Sequence, residues 1–231
     1  MKKSIFKSSA FYYHLFTTIA LLELTASILG VIFGFSDATR DTSISNIFLS
    51  SLVIVLMSVP RFLKSKFKLV ITNSVEILVL VFLFASITLG FVHNFYEDIY
   101  GYDKIVHAVS GFVIALSAFE AIHIYNQNSK KYVKLPAIFV SIFAFTFSIT
   151  LLVVWEFYEF FIDTLTFNLT FSASNMQRYM WENTYLLFPQ DYGLLDTMLD
   201  LIVGAIGSLI ICILGYHFLK KQESNNTEKL T

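Results

Sequence analysis

Charge is the first thing this chain lacks. Only 14% of its 231 residues are Asp, Glu, Lys or Arg, where a soluble domain carries roughly a quarter. Cysteine is reduced to Cys212, inside an apolar run. An intrachain disulfide and a cysteine-built metal knuckle are therefore excluded, and the thiol reads as buried and structural. There are three prolines, Pro60, Pro136 and Pro189. All fall at the borders of apolar runs or in a loop, as required of helices that must close their backbone bonds internally. No G-x-S-x-G elbow occurs, which argues against serine-nucleophile chemistry, and the Ser110-Gly111 pair is no substitute. There is no HExxH helix either. A formal net charge of −1 gives no ground for a nucleic-acid partner, and none is expected.

What the chain has in abundance is apolar length. It is 56% hydrophobic and 17% aromatic, with a mean hydropathy of +0.67. A bilayer crossing needs about 20 mostly apolar residues. Six segments qualify, at roughly 13–35, 44–60, 70–92, 105–125, 136–161 and 197–218. The second is the shortest, with its clean run from Ile47 to Val59, and charge placement supports it. With the N-terminus in the cytoplasm, the inner segments hold Lys2, Lys3, Lys7, Arg61, Lys64, Lys66, Lys68, Lys130, Lys131, Lys134, Lys220, Lys221 and Lys229. That is 13 of the 16 basic residues, as the positive-inside rule predicts. The basic inner face reads as an orientation signal, not as a lipid-specific patch. The first stretch is too long for a signal-peptide core, contains Glu23 and lacks a small-residue cleavage pattern, so it reads as a retained helix. The expected fold is an all-α polytopic membrane bundle of six transmembrane helices with both termini cytoplasmic. Residues 1–222 form one transmembrane domain, 164–195 an outer aromatic-rich loop, and 223–231 a disordered tail. The bilayer is the one assured partner, and oligomeric state is not encoded in any feature of the sequence.

Three polar clusters interrupt the apolar runs: Asp103-Lys104-x-x-His107, Glu156-x-x-Glu159-x-x-x-Asp163 and Asp196-x-x-x-Asp200. In the six-span topology all three lie toward the outer side. Ionisable groups inside a membrane are costly and mark functional sites by default. Glu156, Glu159 and Asp163 share one helix face at i, i+3 and i+7, and the acids of the fourth and sixth spans each precede a second polar group by one turn. Asp103, Asp163 and Asp196 sit at the boundary, with His107, Glu159 and Asp200 about 6 Å deeper. Gly111 and Gly204 follow at the next turn, where glycine lets another backbone come close. Taken singly, each has a plainer reading: Asp103 and Asp196 are good N-caps, and His107 is a core histidine.

Taken together, one imidazole and several carboxylates suit a divalent ion such as zinc, manganese or iron. The candidate ligands are His107, Glu159 and Asp200. Glu156 and Asp103 are the candidate catalytic groups, and Asp163, Asp196 and Lys104 form a second layer. Such an ion could activate water against an ester or phosphoester, which points to a metal-dependent hydrolase or transferase acting on a lipid or envelope-linked substrate. A proton- or cation-coupled transporter or channel is the alternative, and a structural or regulatory membrane protein the third. Deep in the first span, Glu23 needs a partner, for which Asn73 or Glu76 is expected.

The patterns Tyr102-Asp103-Lys104-x-x-His107-x-x-x-Gly111, Trp155-Glu156-x-x-Glu159 and Asp196-Thr197-x-x-Asp200-Leu201-x-x-x-x-x-Gly207 together resemble the YjdF-like family of uncharacterised bacterial inner-membrane proteins. The likeness spans roughly residues 50–215. More distantly, the Asp-Lys-x-x-His opening resembles that of VanZ-like membrane proteins. The resemblance implies a compact multi-pass protein of the bacterial plasma membrane, and it carries over no catalytic residue.

Overall fold

The computed structural model describes residues 8–34, 37–67, 71–128, 135–170, 176 and 192–228. Its elements are α1 (Ser9–Phe33), α2 (Asp37–Phe67), α3 (Asn73–Leu83), a π-helical continuation (Phe84–Val92), the short α4 (Phe95–Asp98), α5 (Tyr102–Asn128), α6 (Ala137–Thr170) and α7 (Tyr192–Glu228). Among the described residues there is no strand. Six helical stretches are long and apolar enough to cross a bilayer: Ser9–Phe33, Arg40–Lys66, Asn73–Val92, Tyr102–Ile122, Ala137–Leu165 and Gly193–Asn225.

Exposure along these helices inverts that of a soluble protein. Phe48, Leu22 and Phe33 are 72%, 66% and 66% exposed, whereas Ser50, Ser148, Ser208 and Ala115 are fully buried. Large apolar side chains thus face outward into lipid, and small residues occupy the helix contacts, as expected where lipid tails are as apolar as leucine. The chain is a polytopic helical membrane protein.

Several helices run past the limits read from the sequence. α2 continues through Pro60 to Phe67, because transmembrane helices re-satisfy a proline's lost backbone bond locally. α6 continues to Thr170, into the expected outer loop; nearly all the rest of that loop lies outside the described residues. α7 is helical to Glu228 rather than disordered from 223. Lys220, Lys221, Gln222 and Glu223 are all strong helix formers. The Glu223 carboxylate also accepts a 2.8 Å hydrogen bond from the backbone N–H of Ala137, satisfying one open donor at the start of α6.

The chain divides into two compact units, Met1–Val106 and His107–Thr231. The division falls inside α5, whose first turn is continuous helix with the remainder. In the first unit α1, α2 and α3 pack around Ala20, Val53, Met57, Leu80 and Ile87, with Phe16 stacked on Phe84 at 4.3 Å. α1 and α3 start side by side. The backbone N–H of Ser9 donates to Asn73 Oδ1, and its hydroxyl to Glu76 Oε2, both at 2.8 Å. Buried Glu76 is further paired with Lys64 and, at 3.7 Å, with Arg61. That register corrects the expected partner of Glu23. Glu23 lies 14 residues beyond Ser9, about 21 Å along the helix, and so cannot reach Asn73 or Glu76. Its partner is His93, whose Nε2 lies 2.8 Å from Glu23 Oε1.

In the second unit the backbones of α5 and α7 nearly touch. A Cβ on Gly111 would lie 2.0 Å from the Gly204 carbonyl oxygen, and one on Gly207 would lie 2.0 Å from that of Ala108. Only glycine fits either crossing. α6 joins through a buried hydroxyl pair, Ser148 Oγ and Ser208 Oγ at 2.7 Å, with Ser148 also 3.2 Å from the Gly111 carbonyl and Ser208 3.0 Å from that of Gly204. Below lies a core of Ala115, Phe119, Val140, Ala144, Ile211 and Cys212, so the lone thiol is buried.

Candidate functional site

The glycine crossings fix what happens one turn away. His107 precedes Gly111 by four residues on α5, and Asp200 precedes Gly204 by four on α7. Helix periodicity therefore brings both side chains to the same seam as the touching backbones. Asp103 lies one further turn toward the start of α5, where its negative charge is favoured by the helix dipole. These three form a buried Asp/His/Asp group. One donor atom from each of Asp103, His107 and Asp200 lies within 4.8 Å of the others, and the residues are 6%, 5% and 1% exposed.

The imidazole sits between two carboxylates from different helices. Its Nε2 is 4.0 Å from Asp200 Oδ2, and its Nδ1 is 3.8 Å from Glu156 Oε1 on α6. Both separations are too long for direct hydrogen bonds. The 4.0 Å between Nε2 and Asp200 Oδ2 is close to what a shared ion requires. Two donors each about 2.1 Å from a metal lie about 3.4 Å apart at the tetrahedral angle and about 4.2 Å apart when opposite. Asp103, Glu156 and Asp200 are all buried, and Lys104 Nζ lies 3.1 Å from Asp103 Oδ2.

The other candidates are not members of this three-donor group. Glu159 is buried, but it lies outside the three-donor group. Its Oε1 accepts a 2.6 Å hydrogen bond from the indole Nε1 of Trp155, one turn back on α6. Asp163 Oδ1 accepts from the backbone N–H of Met176 at 2.9 Å, so it holds Met176 beside the helix. Asp196 is buried one turn before Asp200 on α7. Trp155 was not singled out from sequence as a partner, although an indole donor four residues before a carboxylate is a readable signal.

A helical membrane protein with a buried His/carboxylate group is the class these observations define. The chain matches the family described as "Predicted membrane protein (DUF2238)" over residues 18–221. It belongs to that family, which is the YjdF-like family. No curated protein matches the chain, and no solved structure does.

Proposed function

We propose that this chain is a membrane-embedded metal-dependent hydrolase or transferase acting on a lipid or envelope-linked substrate. The observation that carries the reading is the convergence of Asp103, His107 and Asp200 within 4.8 Å at near-complete burial. A divalent ion of the zinc, manganese or iron type suits one imidazole with two carboxylates, and when bound it would supply Lewis acidity toward an ester or phosphoester oxygen. The chain's own residues divide the remaining work. Asp103, Asp200 and His107 Nε2 would hold the ion, with Asp103 rather than Glu159 as the third ligand. Glu156, on the Nδ1 side of the ring, would accept a hydrogen bond from Nδ1–H and so favour the tautomer that leaves Nε2 for the ion. Lys104 lowers the negative charge around Asp103. The lysine and arginine distribution supports a position near the extracytoplasmic face of a bacterial plasma membrane, with both termini inside.

The test is elemental analysis and metal titration of the detergent-purified full chain. Stoichiometric zinc, manganese or iron is expected, with His107→Ala and Asp200→Asn each lowering affinity at least about tenfold. Wild-type protein that stays folded and takes up none of the three refutes the proposal. The same burial supports a second reading, passage of a proton or cation through the cluster. Ion flux in proteoliposomes that is lost in Glu156→Gln, from protein that holds no stoichiometric metal, would select it.

A further inference from the structure

The first unit carries a polar site that owes nothing to the His/carboxylate group. The start of α1, the end of α2 and the start of α3 surround an open cleft of about 430 Å³ lined by Ser9, Arg61, Lys64, Ser65 and Glu76. Its size is within the range of small-ligand sites. We propose that this cleft binds a phosphate-bearing anion, the shared chemistry of an anionic phospholipid headgroup and free phosphate.

Three features support this. First, the charges do not balance. Glu76 is one carboxylate facing two cations, Lys64 and Arg61, which leaves the lining one positive charge in excess. Secondly, the cations are held in place. Arg61 lies over the Tyr13 ring, its Cζ 3.7 Å from the centroid, and the Tyr13 hydroxyl meets Ser58 Oγ at 3.2 Å. Glu76 is anchored by the Ser9 hydroxyl. A guanidinium fixed by stacking and by one carboxylate still offers its outward N–H groups to a phosphate oxygen, and a lysine with one bond to Glu76 retains two further donors. Thirdly, α1 and α3 both begin here while α2 ends here, so two positive dipole ends face one negative end. Glu76 is then the group that positions the cations, rather than a competitor for the ligand. The sequence shows only a basic stretch consistent with membrane orientation, whereas the structure gathers part of it around an open cleft.

The experiment uses the full purified chain. Native mass spectrometry compares retention of phosphatidylglycerol with that of phosphatidylcholine, and thermal unfolding compares inorganic phosphate with chloride at equal ionic strength. A several-fold preference for phosphatidylglycerol, or stabilisation by phosphate, is expected. Either response supports the site, and their pattern distinguishes lipid from soluble phosphate as the source. Arg61→Gln leaves Glu76 paired with Lys64 and should weaken binding roughly tenfold by removing one charge-assisted contact. Ser65→Phe should block the cleft without touching the Glu76 pairs. Lys220→Gln/Lys221→Gln, on α7, should retain binding. Equal retention of the two lipids with no phosphate response, or unchanged binding in both Arg61→Gln and Ser65→Phe, overturns the proposal.

Discussion

Replacing Gly111 by alanine tests whether two touching backbones hold the buried group together. The added Cβ would lie 2.0 Å from the Gly204 carbonyl oxygen and 2.8 Å from Ser208 Oγ. A carbon–oxygen contact of this kind settles at about 3.3 Å, so α5 and α7 must part by about 1.3 Å. Neither side of the clash is a side-chain tip that can rotate away, because the nearest atom belongs to backbone. The overpacking should destabilise the chain by about 1–3 kcal/mol, read as a shift in detergent-monitored unfolding of the purified protein. One turn away, the 4.0 Å between His107 Nε2 and Asp200 Oδ2 should widen beyond the reach of a shared ion, lowering metal affinity at least about tenfold. Gly215→Ala is the matched control. There the three nearest atoms to the new Cβ all belong to the Phe119 ring, the closest at 2.7 Å, and a ring can turn, so stability should fall by less than about 1.5 kcal/mol. Equal stability of the Gly111→Ala and Gly215→Ala proteins would refute the argument.

Ser148→Ala and Ser208→Ala should be non-additive, because three hydroxyl contacts share two protons; a double-mutant cycle should give a coupling of about 0.6 kcal/mol, and a value near zero would show that the pair is not bonded. His93→Ala removes the partner of Glu23 and should destabilise by about 1–3 kcal/mol. Adding Glu23→Gln to it should recover stability, and no recovery would show that the stranded carboxylate is not the cause. In a Trp181→Phe background, Glu159→Gln should shift Trp155 emission by weakening the indole bond while leaving metal affinity within about twofold. A loss of metal comparable to that in Asp200→Asn would place Glu159 among the ligands instead.

The six spans are legible in sequence because apolar length is a one-dimensional property, and the positions of the basic residues separate one span from the next. Asp103 and His107 are legible as neighbours for a similar reason, since spacing by four fixes them on one helix face. The choice of Asp103 over Glu159 beside His107 and Asp200 is not legible. It depends on how α6 is rotated about its own axis, and the Trp155 indole, which claims Glu159, gives no sign of that in a hydropathy pattern. The partner of Glu23 is hidden for a related reason: Ser9 meeting Asn73 sets the register of α1 against α3, and register between helices is a tertiary quantity. The π-helical stretch Phe84–Val92 differs from an α-helix in which backbone groups pair, so its side-chain sequence reads the same either way.

The length of the last two helices has a mechanical consequence. α6 has 34 residues and α7 has 37, about 51 and 56 Å of rod, against a hydrocarbon slab of about 30 Å. Glu223 meets Ala137, so the two rods are antiparallel and matched at that end. The length beyond the slab must lean over or stand out in water. A thinner or thicker bilayer would change that lean, so this hairpin couples membrane thickness to the placement of whatever its far end carries.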